Sequence, residues 1–317
     1  MTSFAPLLAY QLLSVRGIGP KAASTILRDL ESEHLGDAQT LMSKHKAILR
    51  HHLTEAQFNA AFAVDGRLAA QIESVVGNGG GFLTVVDDSY PQKLLHTLRE
   101  DSPPVLAYAG NISLFDDTSV GFCGSRKASE KGLQTAKDCV EQIVERGFTV
   151  VSGNAAGIDL AAHKRALEAG GRTILVLPEG ILRFRVKKEL QEVWDWERVL
   201  VVSEFQPGQT WQAHQAMTRN RTIIGLSDIL VAIEAGRTGG TIAAGQDALQ
   251  LRLPVFAPIY EGMPREAEGN EILISKGAKP LRRSKSTGRA SLSAMIEELM
   301  QISERRMGPP RQLGFGI

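Results

Sequence analysis

A chain of 317 residues, 43% hydrophobic and 22% charged, has room for about two domains with sizeable cores. Its 36 Lys and Arg against 35 Asp and Glu leave a net charge of +1, which excludes a general polycation, so any contact with a polyanion must come from local clusters. The two cysteines, Cys123 and Cys139, have neither metal-ligand spacing nor a disulfide framework, and neither a leader-like segment nor a membrane-length apolar run is present; a soluble, cytoplasmic protein without metal, cofactor or membrane contact is expected.

Residues 1–76 read as a small helical domain. Leu7, Leu8, Leu12 and Leu13 recur at helical spacing, and Ala22, Ala23, Ile26 and Leu27 repeat the pattern after Gly17-Ile18-Gly19-Pro20. The pattern is like a helix-hairpin-helix. Its glycines either free amides for a phosphate, with Arg16 and Lys21 beside them, or only permit a tight turn; both remain open. The run Gly77-Asn78-Gly79-Gly80-Gly81 marks a boundary and a candidate hinge, and lacks the spacing of a dinucleotide fingerprint.

Strands follow at Phe82-Leu83-Thr84-Val85-Val86 and around Val105-Leu106-Ala107-Tyr108, with a turn at Tyr90-Pro91. From Ser119 to about Leu281 the chain alternates, with strands near 120–123, 149–151, 173–177, 199–203, 229–233 and 254–257. Helices are expected near 129–146, 159–169, 186–193, 212–224, 241–251 and 268–276. This predicts an α/β fold over 82–281, a Rossmann-like, doubly wound and mainly parallel sheet. Residues 282–317 form a short basic extension with Arg282-Arg283-Ser284-Lys285, a helix near 291–304 and a tail rich in Gly, Pro and Arg.

Three apolar strands break into small residues before a helix, at Gly124-Ser125-Arg126, at Ser152-Gly153-Asn154-Ala155-Ala156-Gly157-Ile158-Asp159 and at Gly239-Gly240-Thr241. Such loops can offer backbone amides to an anion beyond the carboxyl ends of a parallel sheet. Arg219-Asn220-Arg221 places two guanidinium groups two residues apart, suited to phosphate. The candidate nucleic-acid-binding set is therefore Gly124, Ser125, Arg126, Ser152, Gly153, Lys164, Arg219, Asn220, Arg221, Gly239, Gly240 and Thr241. Against it stands the reading of the arginines as solvated helix charges.

No segment supplies a phosphate-loop ATPase motif. Asp159 and His163, four apart, have the spacing of a catalytic or metal pair, but a helix cap and a packed histidine are preferred. Cys123, ending an apolar strand with no neighbouring histidine, reads as buried and not as a nucleophile. No catalytic residue is assigned. Arg183, Arg185, Lys187 and Lys188 are a basic stretch or a solvated face, with Phe184 as a candidate stacking platform.

These motifs, with Ala162-His163, Ala166-Leu167, Tyr90-Pro91-x-x-Leu94, Pro103-Pro104-x-Leu106, Ser203-Glu204 and Gly277-Ala278, make residues 85–281 resemble the bacterial DNA-processing protein A family, also called Smf. The resemblance implies a non-enzymatic, single-stranded DNA-binding recombination mediator, a homodimer that displaces the single-strand-binding protein and helps load the RecA recombinase. Ile181-Leu182-Arg183-Phe184-Arg185 replaces the family's usual Tyr-Pro and Asn, Thr238-Gly239-Gly240-Thr241 its Ser-Gly-Ser, and Pro258-Ile259 its Pro-Gly; no winged-helix domain is expected after Leu281. The alternative is a non-catalytic nucleotide sensor in the same pocket. A related phosphoribohydrolase is disfavoured because Ala244 stands where its glutamate is required.

Overall fold

The computed structural model describes residues 4–32, 38–62, 66–264, 267–284 and 287–307. Five helices come first: α1 (Phe4–Ser14), α2 (Pro20–Ser32), α3 (Ala38–His52), α4 (Glu55–Ala61) and α5 (Gly66–Gly77). Strand β1 (Gly81–Thr84), helix α6 (Gln92–Leu98), strands β2 (Val105–Gly110) and β3 (Ser119–Gly124), α7 (Glu130–Val144), β4 (Thr149–Gly153), α8 (Ile158–Glu168) and β5 (Thr173–Val176) follow. The remainder is β6 (Val199–Ser203), α9 (Ala213–Gly225), β7 (Ile229–Ile233), α10 (Gly240–Gln250), β8 (Val255–Pro258), α11 (Gly269–Ser275), β9 (Lys279–Leu281) and α12 (Ser293–Met307). The α/β class and every strand expected from the alternation are present. The helix expected near 186–193 is instead a 3-10 segment, Lys188–Val193, in which Leu190 alone is buried; one buried position gives no apolar stripe to hold an α-helix.

The chain divides into two compact units, residues 1–115 with 174–225, and residues 116–173 with 226–317. In the first, the strands run β1-β2-β6-β5, with β1–β2 and β2–β6 antiparallel. Its helices start where the sequence marks them: α2 opens on Pro20 after Gly17 at φ +88°, and α4 carries a reciprocal cap between Thr54 and Gln57. Tyr10 of α1 is buried edge-on against Phe82 of β1, ring centroids 6.2 Å apart. Two glycines of the run expected as a hinge also have a packing reason. A Cβ on Gly80 would lie 2.7 Å from the Tyr108 carbonyl oxygen, and one on Gly81 2.5 Å from the Tyr108 hydroxyl, so close packing requires glycine at both.

The second unit holds five parallel strands in the order β4-β3-β7-β8-β9. Phe122, Val231 and Phe256 of the sheet share a core with Cys139 and Ile143 of α7, Ala162 of α8, and Met295 and Leu299 of α12. Helix α10 packs with α11, where a Cβ on Gly245 would come 2.7 Å from Leu273. Residues 293–307, expected only as a helix in an extension, thus belong to this core. At its end Arg306 grips the buried Asp228 carboxylate, which also accepts from the Ser119 amide at 2.8 Å. The chain leaves β3 through α7 towards β4 on one side, and leaves β7 through α10 towards β8 on the other. That reversal makes a crevice between the carboxyl ends of β3 and β7, where ligands of such sheets bind.

Candidate functional site

Arg126 stands at the tip of the loop after β3, on a base with little freedom. A Cβ on Gly124 would lie 2.4 Å from Ile158, so only glycine lets α8 approach the strand. The Ser125 amide donates to the Ile233 carbonyl at 3.2 Å, its own carbonyl accepts from Ile158 at 3.2 Å, and its hydroxyl accepts from the Lys127 amide at 3.1 Å. Gly157 has φ +74°, and a Cβ there would meet the Ser125 carbonyl oxygen at 2.3 Å. Ser125 therefore shapes the loop. Its amide, expected to hold a ligand backbone, is already engaged by β7. Arg126 is exposed and, among the described residues, pairs with no carboxylate.

The loop after β4 is held from beneath. Ser152 is fully buried and its hydroxyl donates to the Phe122 carbonyl at 2.7 Å, which gives it a structural place instead of the expected ligand contact. Gly153 is buried and its carbonyl accepts from His163 Nε2 at 2.8 Å, while His163 Nδ1 lies 2.7 Å from the Thr173 hydroxyl, which donates to the Val150 carbonyl at 3.0 Å. Asp159 Oδ2 accepts from the Ala155 amide at 3.2 Å and closes the turn into α8. His163 thus has the packed, hydrogen-bonded role preferred from the sequence, whereas the expected cap is not Asp159: Gly157 takes the N-cap position of α8 without a side-chain bond, and Asp159 ties back the loop before it. Cys123 is 5% exposed. Lys164 is exposed on α8, with its ammonium 3.8 Å from Glu168.

The loop after β7 begins with a residue that the sequence reading did not single out. Glu234 is 4% exposed at φ +53°, a left-handed backbone uncommon for glutamate. Its carboxylate accepts from the Ser129 amide at 2.8 Å, and from the hydroxyls of Ser129 and Tyr260. Burial, and then the bond to Glu234, push the Tyr260 phenol above its ordinary pKa. An acidic residue closing an otherwise apolar strand was the visible signal. Asn270 Oδ1 accepts from the Ala235 amide at 2.8 Å and carries the chain outwards. Thr238, Gly239 and Gly240 are exposed, and Gly239, at φ +104°, caps α10. The opening amides of a helix have no partners within it and present a partial positive charge. The start of α10, with Gly239, Gly240 and Thr241, is therefore electrostatically suited to an anion.

In the first unit, Arg219, Asn220 and Arg221 lie on α9, where residues two apart do not share a face. Arg219 is 4% exposed and donates Nη1 to the Val176 carbonyl at 2.8 Å, so the expectation of a paired phosphate clamp is corrected: this arginine is part of the interior. Arg221 has a side chain 40% exposed and reaches Asp101 at 3.0 Å. Glu204 accepts from the Thr222 hydroxyl at 2.6 Å; burial raises its pKa against the opposing effects of that bond, Arg219 and Arg221. The phenols of Tyr10 and Tyr90 are raised by burial first and by the Glu204 charge second. Phe184 packs against Trp194 at 5.7 Å between centroids, and Arg183 Nε donates to the Gly208 carbonyl at 3.0 Å.

Lys21, expected near a phosphate, pairs with Glu100 at 2.5 Å across an exposed surface. Among the described residues, no group of His, Cys, Asp and Glu could hold a metal ion, and no helix is long and apolar enough to cross a membrane. The second unit brings Gly124, Ser125, Arg126, Ser152, Gly153, Gly239, Gly240 and Thr241 to one sheet edge.

Comparison with known proteins gives this edge a family. Residues 81–290 match the model for DNA recombination-mediator protein A. The chain is 34% identical over 201 residues to DNA processing protein DprA of Streptococcus pneumoniae, covering 62% of this chain and 69% of that protein. It is 32% identical over 243 residues to protein Smf of Synechocystis, covering 74% of this chain and 59% of that protein. The X-ray structure of DprA from Streptococcus pneumoniae superposes with a TM-score of 0.72 at 26% identity, over 88% of this chain and 94% of that one. DNA processing protein A of Helicobacter pylori, described for its single-stranded DNA binding mode, shares the fold with a TM-score of 0.55 at 22% identity, over 71% and 95% of the two chains. With its family model covering the sheet and its motif loops, the chain belongs to the DNA recombination-mediator protein A family.

Proposed function

We propose that this protein binds single-stranded DNA through its phosphate backbone along the carboxyl edge of the second unit, and acts as a recombination mediator. The observation that carries this reading is the exposed Arg126, on a loop fixed by Ser125 and Gly157, at the crevice whose other side is the exposed start of α10. Arg126 and Lys164 supply charge, and the amides of Gly239, Gly240 and Thr241 supply fixed donors. Arg221 and Asn220 are separate candidate DNA contacts of the first unit, while Ser152 and Gly153 in the second unit and Arg219 in the first have structural places. Backbone contacts of this kind give little base specificity.

The protein works by binding and not by catalysis. His163 and Asp159 are engaged within the β4 loop and Cys123 is buried, which supports that reading. Loading of RecA, displacement of the single-strand-binding protein, homodimer formation and a cytoplasmic location complete the proposal. Residues 1–76 act as an accessory helical segment. Filter binding across a salt series tests the reading, with an unstructured oligonucleotide, its matched duplex and a panel of mononucleotides. Preferential capture of the single strand, weakening as salt rises, is expected. Equal affinity for the duplex, indifference to salt, or tight capture of a mononucleotide would overturn it.

A further inference from the structure

At the carboxyl ends of β8 and β9, beside the first half of α7, lies a cleft of about 1190 Å³ within the second unit. It exceeds the 300–1,000 Å³ or so of an ordinary small-ligand site. Lys131 and Lys137 line it from α7, Tyr260 from the end of β8, and Arg282 and Arg283 from the end of β9. Glu130 and Glu261 are the carboxylates on its wall, leaving four cations against two anions.

The neighbouring wall shows what a neutralised arginine looks like in this unit. Arg289 bonds to Asp138 at 2.6 Å and Glu141 at 3.2 Å and is held in a carboxylate network. Among the described residues, Arg282, Arg283 and Lys137 pair with no carboxylate. Nor are the two arginines part of a loose tail. The Ser291 amide donates to the Arg282 carbonyl at 2.8 Å, and Arg283 forms an antiparallel bridge with Ala290. Their backbone is anchored while both side chains stay exposed. Lys131 donates to the Glu261 carbonyl at 2.9 Å and keeps further N–H groups for a ligand.

A hydrogen-bond relay links the cleft wall to the residues behind the crevice between β3 and β7. Tyr260, on its wall, bonds to Glu234, which opens the β7 loop, and Ser129, bonded to the same carboxylate, joins the Arg126 loop to α7. From this link and the uncompensated charge we infer that the cleft is a second stretch of the DNA path, holding further phosphates of the same single strand. The inference rests on the binding mode proposed above. It assigns Lys131, Lys137, Arg282 and Arg283 as phosphate-contacting residues that set the length of strand covered.

The test compares the parent with R282A/R283A, on oligothymidylates of about 6 and about 24 nucleotides, lengths within and beyond a single small binding surface. The variant should lose about tenfold or more on the long strand and nothing on the short one. Its salt slope on the long strand should become shallower by about 0.7 per phosphate contact removed. The pair R282K/R283K should recover part of the loss, because lysine restores charge without the planar fork. K137A, on a different element, should show the same length dependence, so a disturbed β9 bridge in the arginine variant does not decide the result. Unchanged binding of both lengths by R282A/R283A and K137A, with the parent binding both, overturns the second stretch and leaves the crevice site standing. No binding of either length by the parent overturns both. Equal losses for inorganic pyrophosphate and for the long strand would make the cleft a small-anion site, which also overturns the inference.

Discussion

Two arginine-bearing regions of this molecule use the same side chain in opposite ways. Around β3 and β7, Arg126 is lifted into solvent by a loop whose amides and carbonyls are already engaged, so its guanidinium contributes little to holding the fold. Around α9, Arg219 is withdrawn from water near Glu204 and the β5 end, and its guanidinium donates to the Val176 carbonyl of the interior. A buried charge costs several kcal/mol unless paired and bonded, whereas an exposed one is nearly neutral for stability and available for a ligand. Burial decides whether an arginine's loss is measured in folding or in binding.

The contrast can be broken most directly at Arg219. R219A removes one partner of a buried polar cluster and should destabilise by about 3–5 kcal/mol, read as a lower urea midpoint at unchanged m-value. An unchanged midpoint would place Arg219 with the exposed cations after all. R126A should do the reverse, lowering single-strand affinity by about ten- to a hundredfold, as loss of a charge-assisted contact worth about 1.5–3 kcal/mol implies, while leaving the melting temperature alone. R126K should recover part of it. A melting temperature that falls with the affinity would show that Arg126 is structural.

Acidity sharpens the comparison. Because burial raises the folded-state pKa of Glu204 above its unfolded value, its favourable contribution is present below the ordinary carboxylate range and is lost as pH rises through the raised value. E204Q should therefore flatten the pH dependence of melting above that range. A variant with the parent's pH profile would assign the dependence to other groups. The smallest effect is expected at Lys164, whose exposed pair with Glu168 is worth at most about 0.5 kcal/mol. K164A should leave melting unchanged and reduce single-strand affinity by severalfold at low salt; no change at any salt would remove Lys164 from the path.

Much of this was legible in the residues. Every strand from β1 to β8 stood out as an apolar run bounded by small or turn-forming residues, and the loops after β3, β4 and β7 could be marked in advance because strand, small residues and helix succeed each other there. What single residues do within those loops was not legible. Ser152 looks like a ligand-facing hydroxyl, and Ser125 like the owner of a ligand-facing amide, until the Phe122 and Ile233 carbonyls are seen opposite those groups. The pairing of Arg219 with Arg221 was misjudged for a reason present in the sequence: on a helix, residues two apart diverge, so two arginines at that spacing cannot serve one face. Glu234 escaped notice because its meaning lies in Ser129 and Tyr260, 105 and 26 positions away. Close approach to Tyr108, which explains Gly80 and Gly81, is likewise invisible without the fold.

The interlock of Ser125 with Gly157 and Ile158 has a consequence for how this edge can be altered. The carbonyl of one loop fills the space where the other would carry a side chain, and the same carbonyl accepts the amide that starts α8. Neither segment can be exchanged alone. A chimera importing only residues 124–127 from a relative would meet a helix start shaped for a different partner, while one importing 124–127 together with 153–159 would carry its mould along. The transplantable piece is the pair, and diversity at this rim is to be sought in matched sets of loops rather than in independent positions.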